Sequence, residues 1–144
     1  MLKGIPSILS PELLKVLAEM GHGDRILLAD GNFPAASMGK NAIVIRCDGH
    51  GVPELLDAIL TLFPLDIYVE KPVSLMQVMP GDPVETPIWN TYLELVGKHD
   101  ERGAAVVAEV ERSAFYEASK TCYAIVATGE SALYANIMLQ KGVI

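Results

Sequence analysis

Short apolar runs alternate with helix-period segments along the whole chain, and this alternation narrows the possible folds more than any other feature. Ser10-Pro11-Glu12 opens the first helix with an N-cap serine, a proline at the first helical position and an acid near the positive end of the dipole. Leu13, Leu14, Leu17 and Met20 then share one face, and Gly21 ends the helix. Arg25 to Ala29 and Ala42 to Arg46 read as short buried strands, with a Gly31-Asn32-Phe33-Pro34 loop between them. The Asp48-Gly49-His50-Gly51 turn leads into a helix from Pro53 to Phe63 with Leu55, Leu56, Ile59, Leu60 and Phe63 inward. Extended chain is expected between Tyr68 and Met79, then a turn at Pro80-Gly81-Asp82-Pro83 and a helix from Ile88 to Val96. Strands at Ala104–Val110, Cys122–Ala127 and Tyr134–Leu139 and a helix from Ser113 to Lys120 complete the reading. Such alternation predicts a single α/β domain over residues 1–144, with a mainly parallel sheet covered by helices on both faces.

Hydrophobic residues make up 51% of the 144, a large share for a domain with so much surface per unit volume. No run approaches the roughly 18 apolar residues of a membrane span, so the excess predicts burial against other copies of the chain. The net charge of −7 without any basic cluster argues against nucleic acid and anionic membrane partners. Cys47 and Cys122 lie far apart and outside any metal or redox spacing, which predicts two buried, reduced thiols. The N-terminal residues lack the apolar stretch of a signal peptide, so a cytoplasmic protein is expected.

The most reactive-looking segment is Met20-Gly21-His22-Gly23-Asp24, between the first helix and the first strand. Glycine neighbours leave His22 without adjacent side chains, and imidazole exchanges protons near neutrality. Its plainer reading is a glycine helix stop followed by a solvated histidine. Asp30, Arg46, Asp48, Arg112 and Thr128 fall at strand ends, where α/β sheets bind ligands and where turns also demand polar residues. His22 and Asp30 bracket the same strand, so they meet only through loop geometry or across a subunit contact. Tyr134 and Asn136, two positions apart on one face of an expected strand, pair a phenol with an amide suited to hydroxyl recognition. His50, together with His22, Asp24 and Cys47, invites a metal site but lacks any metal-ligand spacing, so no metal is expected. Neither GxGxxG, GxxxxGK[ST] nor GxSxG occurs, which leaves nucleotide binding and serine hydrolysis without support.

Taken in order, several of these segments resemble the fucose mutarotase and ribose pyranase family. They are Ser10-Pro11-Glu12-Leu13-Leu14, Met20 to Asp24, Leu28-Ala29-Asp30, Asn32-Phe33-Pro34-Ala35, Ile45 to Gly49, Phe115-Tyr116-Glu117, Ala127 to Glu130, Tyr134-Ala135-Asn136 and Lys141-Gly142-Val143. The match is weakest between Val73 and Glu109. The resemblance implies a cofactor-independent isomerase acting on a free monosaccharide, with His22 as proton donor and Asp30, Arg112, Tyr134, Ala135 and Asn136 on the sugar. It implies a homo-oligomer, a decameric ring, with Arg112 marking the fucose branch where the ribose branch usually carries histidine. Ala135 stands where the family commonly has glycine, and Cys47 where fucose mutarotases commonly have alanine. Two other readings stay open at this point: ribose pyranase-type interconversion of ring sizes, and a non-catalytic monosaccharide-binding subunit.

Overall fold

The structure is a computed structural model that describes all 144 residues. Helix α1 (Pro11–Glu19) starts as its sequence requires, with Ser10 Oγ accepting the Leu13 N–H at 3.1 Å. Val16, not Leu14, joins Leu13, Leu17 and Met20 in the core. The chain continues through β1 (Arg25–Ala29), a one-turn α2 (Ala35–Met38), β2 (Ile43–Cys47), α3 (Val52–Leu60) and β3 (Val73–Met76). It closes with α4 (Pro87–His99), β4 (Val107–Val110), α5 (Arg112–Ser119), β5 (Ala124–Thr128) and β6 (Ile137–Gln140). No helix is long and apolar enough to cross a membrane.

The strands form one sheet in the order β2-β5-β1-β6-β3-β4. All neighbours pair in parallel except β6, which runs antiparallel to both β1 and β3. The sheet is therefore mixed, with β6 alone reversed. Its cause is local: residues 129–136 hold no helix, and a parallel return needs a crossover of a dozen residues or more. The loop instead passes over the end of β1 and re-enters the sheet in the opposite direction. Gly129 permits this path, since a Cβ there would lie 2.1 Å from the Asp48 carbonyl oxygen.

Successive β1 residues feed two apolar layers. Ile26 and Leu28 join the larger core with α1, α3 and α4, while Leu27 and Ala29 join a smaller one with α2 and α5. Helices thus cover both faces, unequally.

Two expected strands are shorter than anticipated, and one cysteine is less buried. Gly103–Val106 is a 3-10 turn, so only Val107–Val110 of the anticipated strand pairs; the exposed Ala104 and Ala105 offer no side chain worth burying. The last strand begins at Ile137, because Tyr134 is left-handed (φ 54°) and its neighbours bond to Asp30 instead of a ladder. Cys122 is buried as anticipated, whereas Cys47 is only half-buried; both thiols are free.

Candidate functional site

The reversed return of the chain builds a pocket at the carboxyl ends of β1, β3 and β4. It encloses about 230 Å³, with Asp30, Asn32, Arg112, Tyr134 and Asn136 as its polar groups and Phe33, Met76, Tyr116 and Leu133 as its apolar and aromatic ones. Asn136 Oδ1 accepts the Asp30 N–H at 2.8 Å, which leaves its accessible amide protons without a partner in the chain. Asp30 Oδ1 and Oδ2 accept the N–H groups of Asn32 (3.0 Å) and Ala135 (3.3 Å). Helix α4 fixes the covering loop from behind: Trp89 Nε1 donates to the Tyr134 carbonyl at 2.8 Å and the Tyr92 hydroxyl to that of Ala135 at 2.7 Å. Ala135 is fully buried, so it shapes the site through its backbone and its methyl does not line the pocket.

Burial pushes the Asp30 carboxyl above the ordinary 3.8, and the backbone N–H groups of Asn32 and Ala135 offset only part of that. The folded chain therefore holds this proton more tightly than the unfolded chain does. The group's contribution to stability is fullest below 3.8 and is lost as pH rises through the folded value. We expect urea denaturation, at fixed protein concentration, to show wild type losing stability relative to Asp30→Asn as pH rises above 3.8. A difference that is flat, or that grows in favour of wild type, would refute the assignment.

Arg112 opens α5, and its guanidinium lies 4.8 Å over the Tyr116 ring one turn later. Tyr116 in turn stacks on Phe33 at 5.4 Å and 10°. One wall thus pairs permanent donors with a flat apolar surface. Tyr134 donates its phenolic proton to Asp82 Oδ2 at 2.7 Å, and that acceptor pushes the phenol pKa up. Asp82 sits on the Pro80–Pro83 turn and had no signal beyond turn chemistry.

His22 is not in this pocket. It sits at the amino end of β1, and the strand alone separates the two places by roughly 15 Å. Nor is it free of neighbours: its Nε2 lies 3.1 Å from Asp66 Oδ1, and its ring centroid 5.3 Å from that of Tyr68. The His22 side chain is 45% exposed and that of Asp66 only 2%. Asp66 Oδ1 also accepts the Tyr68 N–H at 2.9 Å, and Oδ2 the Gln140 amide at 3.0 Å. These donors, the Tyr68 N–H foremost, hold the Asp66 carboxyl below the ordinary range. An ionised carboxylate only accepts, so the His22 nitrogen facing it carries a proton and Nδ1 is left to exchange with solvent or ligand.

The remaining candidates stand apart. His50 Nδ1 lies 3.0 Å from Glu54 Oε1 on the exposed turn before α3. Arg46 pairs with Asp48 on the surface, and Thr128 Oγ1 bonds the Ala29 carbonyl inside the sheet. No three His, Cys, Asp or Glu side chains gather closely enough to hold a metal ion.

Comparison with known proteins gives a consistent picture. The model of the RbsD / FucU transport protein family matches residues 3–144. A Homo sapiens protein named fucose mutarotase is 50% identical over 149 aligned residues, which span 99% of this chain and 94% of that protein. The crystal structure of FucU from Bifidobacterium longum is 63% identical with a TM-score of 0.97, covering 99% of both chains. The fucose mutarotase of Streptococcus pneumoniae, solved in complex with L-fucose, is 52% identical with a TM-score of 0.93 and the same coverage.

Proposed function

Since this chain belongs to the RbsD / FucU family, we propose that it is a cofactor-independent fucose mutarotase, interconverting the α and β anomers of free L-fucose. The observation that carries the chemistry is the His22 imidazole, held through one nitrogen by the buried Asp66 carboxylate while its other side stays accessible. The sugar lies in the pocket, where Asp30 accepts from hydroxyls, Asn136 donates to them, and Arg112 spans two adjacent oxygens with its planar fork. Phe33 and Tyr116 face the carbon skeleton.

Mutarotation asks little of a protein. As the bond between C1 and the ring oxygen breaks, imidazolium His22 gives its Nδ1 proton to that oxygen. The anomeric hydroxyl passes its proton to Tyr134, which releases its own to Asp82 along the 2.7 Å bond already present. The aldehyde rotates about C1–C2, and closure returns both protons. Positioned acid–base groups supply roughly 10²–10⁴-fold, enough to matter for a reaction that already runs in water.

His22 and the pocket occupy opposite ends of β1, so the complete site joins His22 of one subunit to the pocket of the next. We therefore read the protein as a homo-oligomeric ring. The cytoplasm suits its free thiols and a free monosaccharide substrate.

The direct test is NMR saturation transfer between the anomers of L-fucose and of D-ribose. L-Fucose exchange is expected to be accelerated more, and Arg112→His, which replaces a charged fork with an imidazole, to narrow the preference. No acceleration of either sugar would refute the activity. Equal acceleration, or a preference for ribose, would refute the role of Arg112.

A further inference from the structure

Lys141 and Gly142, part of the Lys141-Gly142-Val143 segment, have no role in the chemistry above, yet they lie against both halves of the His22–Asp66 pair. An α-helix ends with carbonyls that lack partners and with the negative pole of its dipole. Helix α1 has no basic residue in its last turn. The Gly21 N–H, placed to reach the Leu17 carbonyl, goes instead to Asp24 Oδ2 at 2.7 Å. The ammonium of Lys141 fills the gap, donating to the Leu17 carbonyl at 2.7 Å and the Met20 carbonyl at 2.6 Å. Its backbone takes the other side of the loop: Lys141 N donates to the Asp24 carbonyl, and the Lys141 carbonyl accepts the Gly23 N–H, both at 2.8 Å. One residue thus grips the chain on either side of His22.

The preceding residue does the same for Asp66. Gln140 donates its amide to Asp66 Oδ2 at 3.0 Å, and its carbonyl accepts the Asp66 N–H at 3.1 Å. Gly142 allows this close approach, since a Cβ there would stand 2.6 Å from the Leu65 carbonyl oxygen. Consecutive residues therefore reference the histidine and the carboxylate to one stretch of backbone.

We propose that Lys141 is a positioning residue, whose ammonium on the Leu17 and Met20 carbonyls sets His22 in register with Asp66. The inference rests on the proposed acid role of His22. Lys141 does not line the sugar pocket and acts only through His22. Without the ammonium, the Gly21–Gly23 loop keeps its backbone bonds to Lys141, but the Leu17 and Met20 carbonyls lose their donor and the Met20 N–H bond to Val16 is left as the last hydrogen bond to α1. Gly23 (φ 86°) adds no stiffness of its own, so the imidazole wanders.

The test compares wild type with Lys141→Met, which keeps the stem and removes the donors, and Lys141→Arg, which restores donors and charge. L-Fucose anomer exchange is followed against sugar concentration, and the His22 ring nitrogens by ¹⁵N NMR across a pH titration. Displacing a reacting group by about 1 Å costs about 100-fold, so Lys141→Met is expected to lower kcat by about 10- to 100-fold. KM is expected to stay within about twofold, because the pocket is made elsewhere. The ¹⁵N spectra are expected to show the protonated Nε2 of wild type giving way to mixed tautomers, and Lys141→Arg to recover most of both signals. Should Lys141→Met fail to fold, Lys141→Gln, which removes the charge and shortens the reach, is read in its place. A kcat within about twofold of wild type, a change confined to KM or to thermal stability, or lost activity with unaltered His22 spectra would each overturn the proposal. The spectra need no turnover, so they judge Lys141 even if His22 proves not to be the acid.

Discussion

His22→Ala is expected to remove nearly all acceleration of L-fucose anomer exchange, a loss of roughly 10²–10⁴-fold, while leaving the fold and the sugar pocket intact. The fold survives because the side chain is half exposed and its one polar partner stays satisfied. Asp66 Oδ1 keeps the Tyr68 N–H and Oδ2 the Gln140 amide, so no buried acceptor is orphaned and the cost is about 1 kcal/mol. The pocket survives because its walls within one subunit include no residue of the His22 loop. Asp66→Asn tests the same pair from the other side. Asparagine can still accept from Nε2, but it no longer stabilises the imidazolium by charge, so an intermediate loss in kcat is expected. His50→Ala serves as the control, since that ring bonds only Glu54 on an exposed turn. Anomer exchange by NMR reads all three. A folded His22→Ala protein within about twofold of wild type would remove histidine from the mechanism.

What the sequence revealed was whatever local chemistry decides. The Ser10-Pro11 start of α1 and the limits of β1 follow from capping and apolar patterning within a few residues, and the structure reproduces them. The strand-end position of Asp30 was legible for the same reason. Asp66 was not: it lies 44 residues from His22, and only the packing of β6 beside β1 and β3 brings the two together. In sequence it is one acid in an apolar stretch after α3. Tyr134 to Asn136 misled because period two suits a strand, whereas the segment exchanges its ladder bonds for the Asp30 carboxylate and backbone. Its two side chains still reach one pocket, through a left-handed turn at Tyr134 instead of a pleat.

Mixing two inactive variants is expected to restore activity, which is the sharpest consequence of placing acid and pocket at opposite ends of β1. The isolated pocket, about 230 Å³, is smaller than the roughly 300 Å³ at which ligand sites usually begin. That is the size expected of a site to which a neighbouring copy adds a wall. Both ends of the sheet also expose apolar side chains that a lone subunit leaves in water. Tyr68, beside His22, is 72% exposed with Ile67 next to it, and Leu133, on the pocket rim, is 52% exposed, as is much of Met79, whose N–H reaches the Tyr134 hydroxyl. Different surfaces meeting head to tail make a heterologous contact, which closes into a ring when the rotation allows. In such a ring a subunit carrying His22→Ala still offers its pocket, and one carrying Arg112→Ala still offers its histidine. Random co-assembly of equal amounts, by refolding or co-expression, gives about a quarter of the sites both intact halves. We expect exchange activity near that fraction of wild type, and light scattering to give a mass several times 15.5 kDa, near tenfold if the ring is a decamer. Mixed oligomers no more active than their parents, or a fully active monomer, would show that each chain completes its own site.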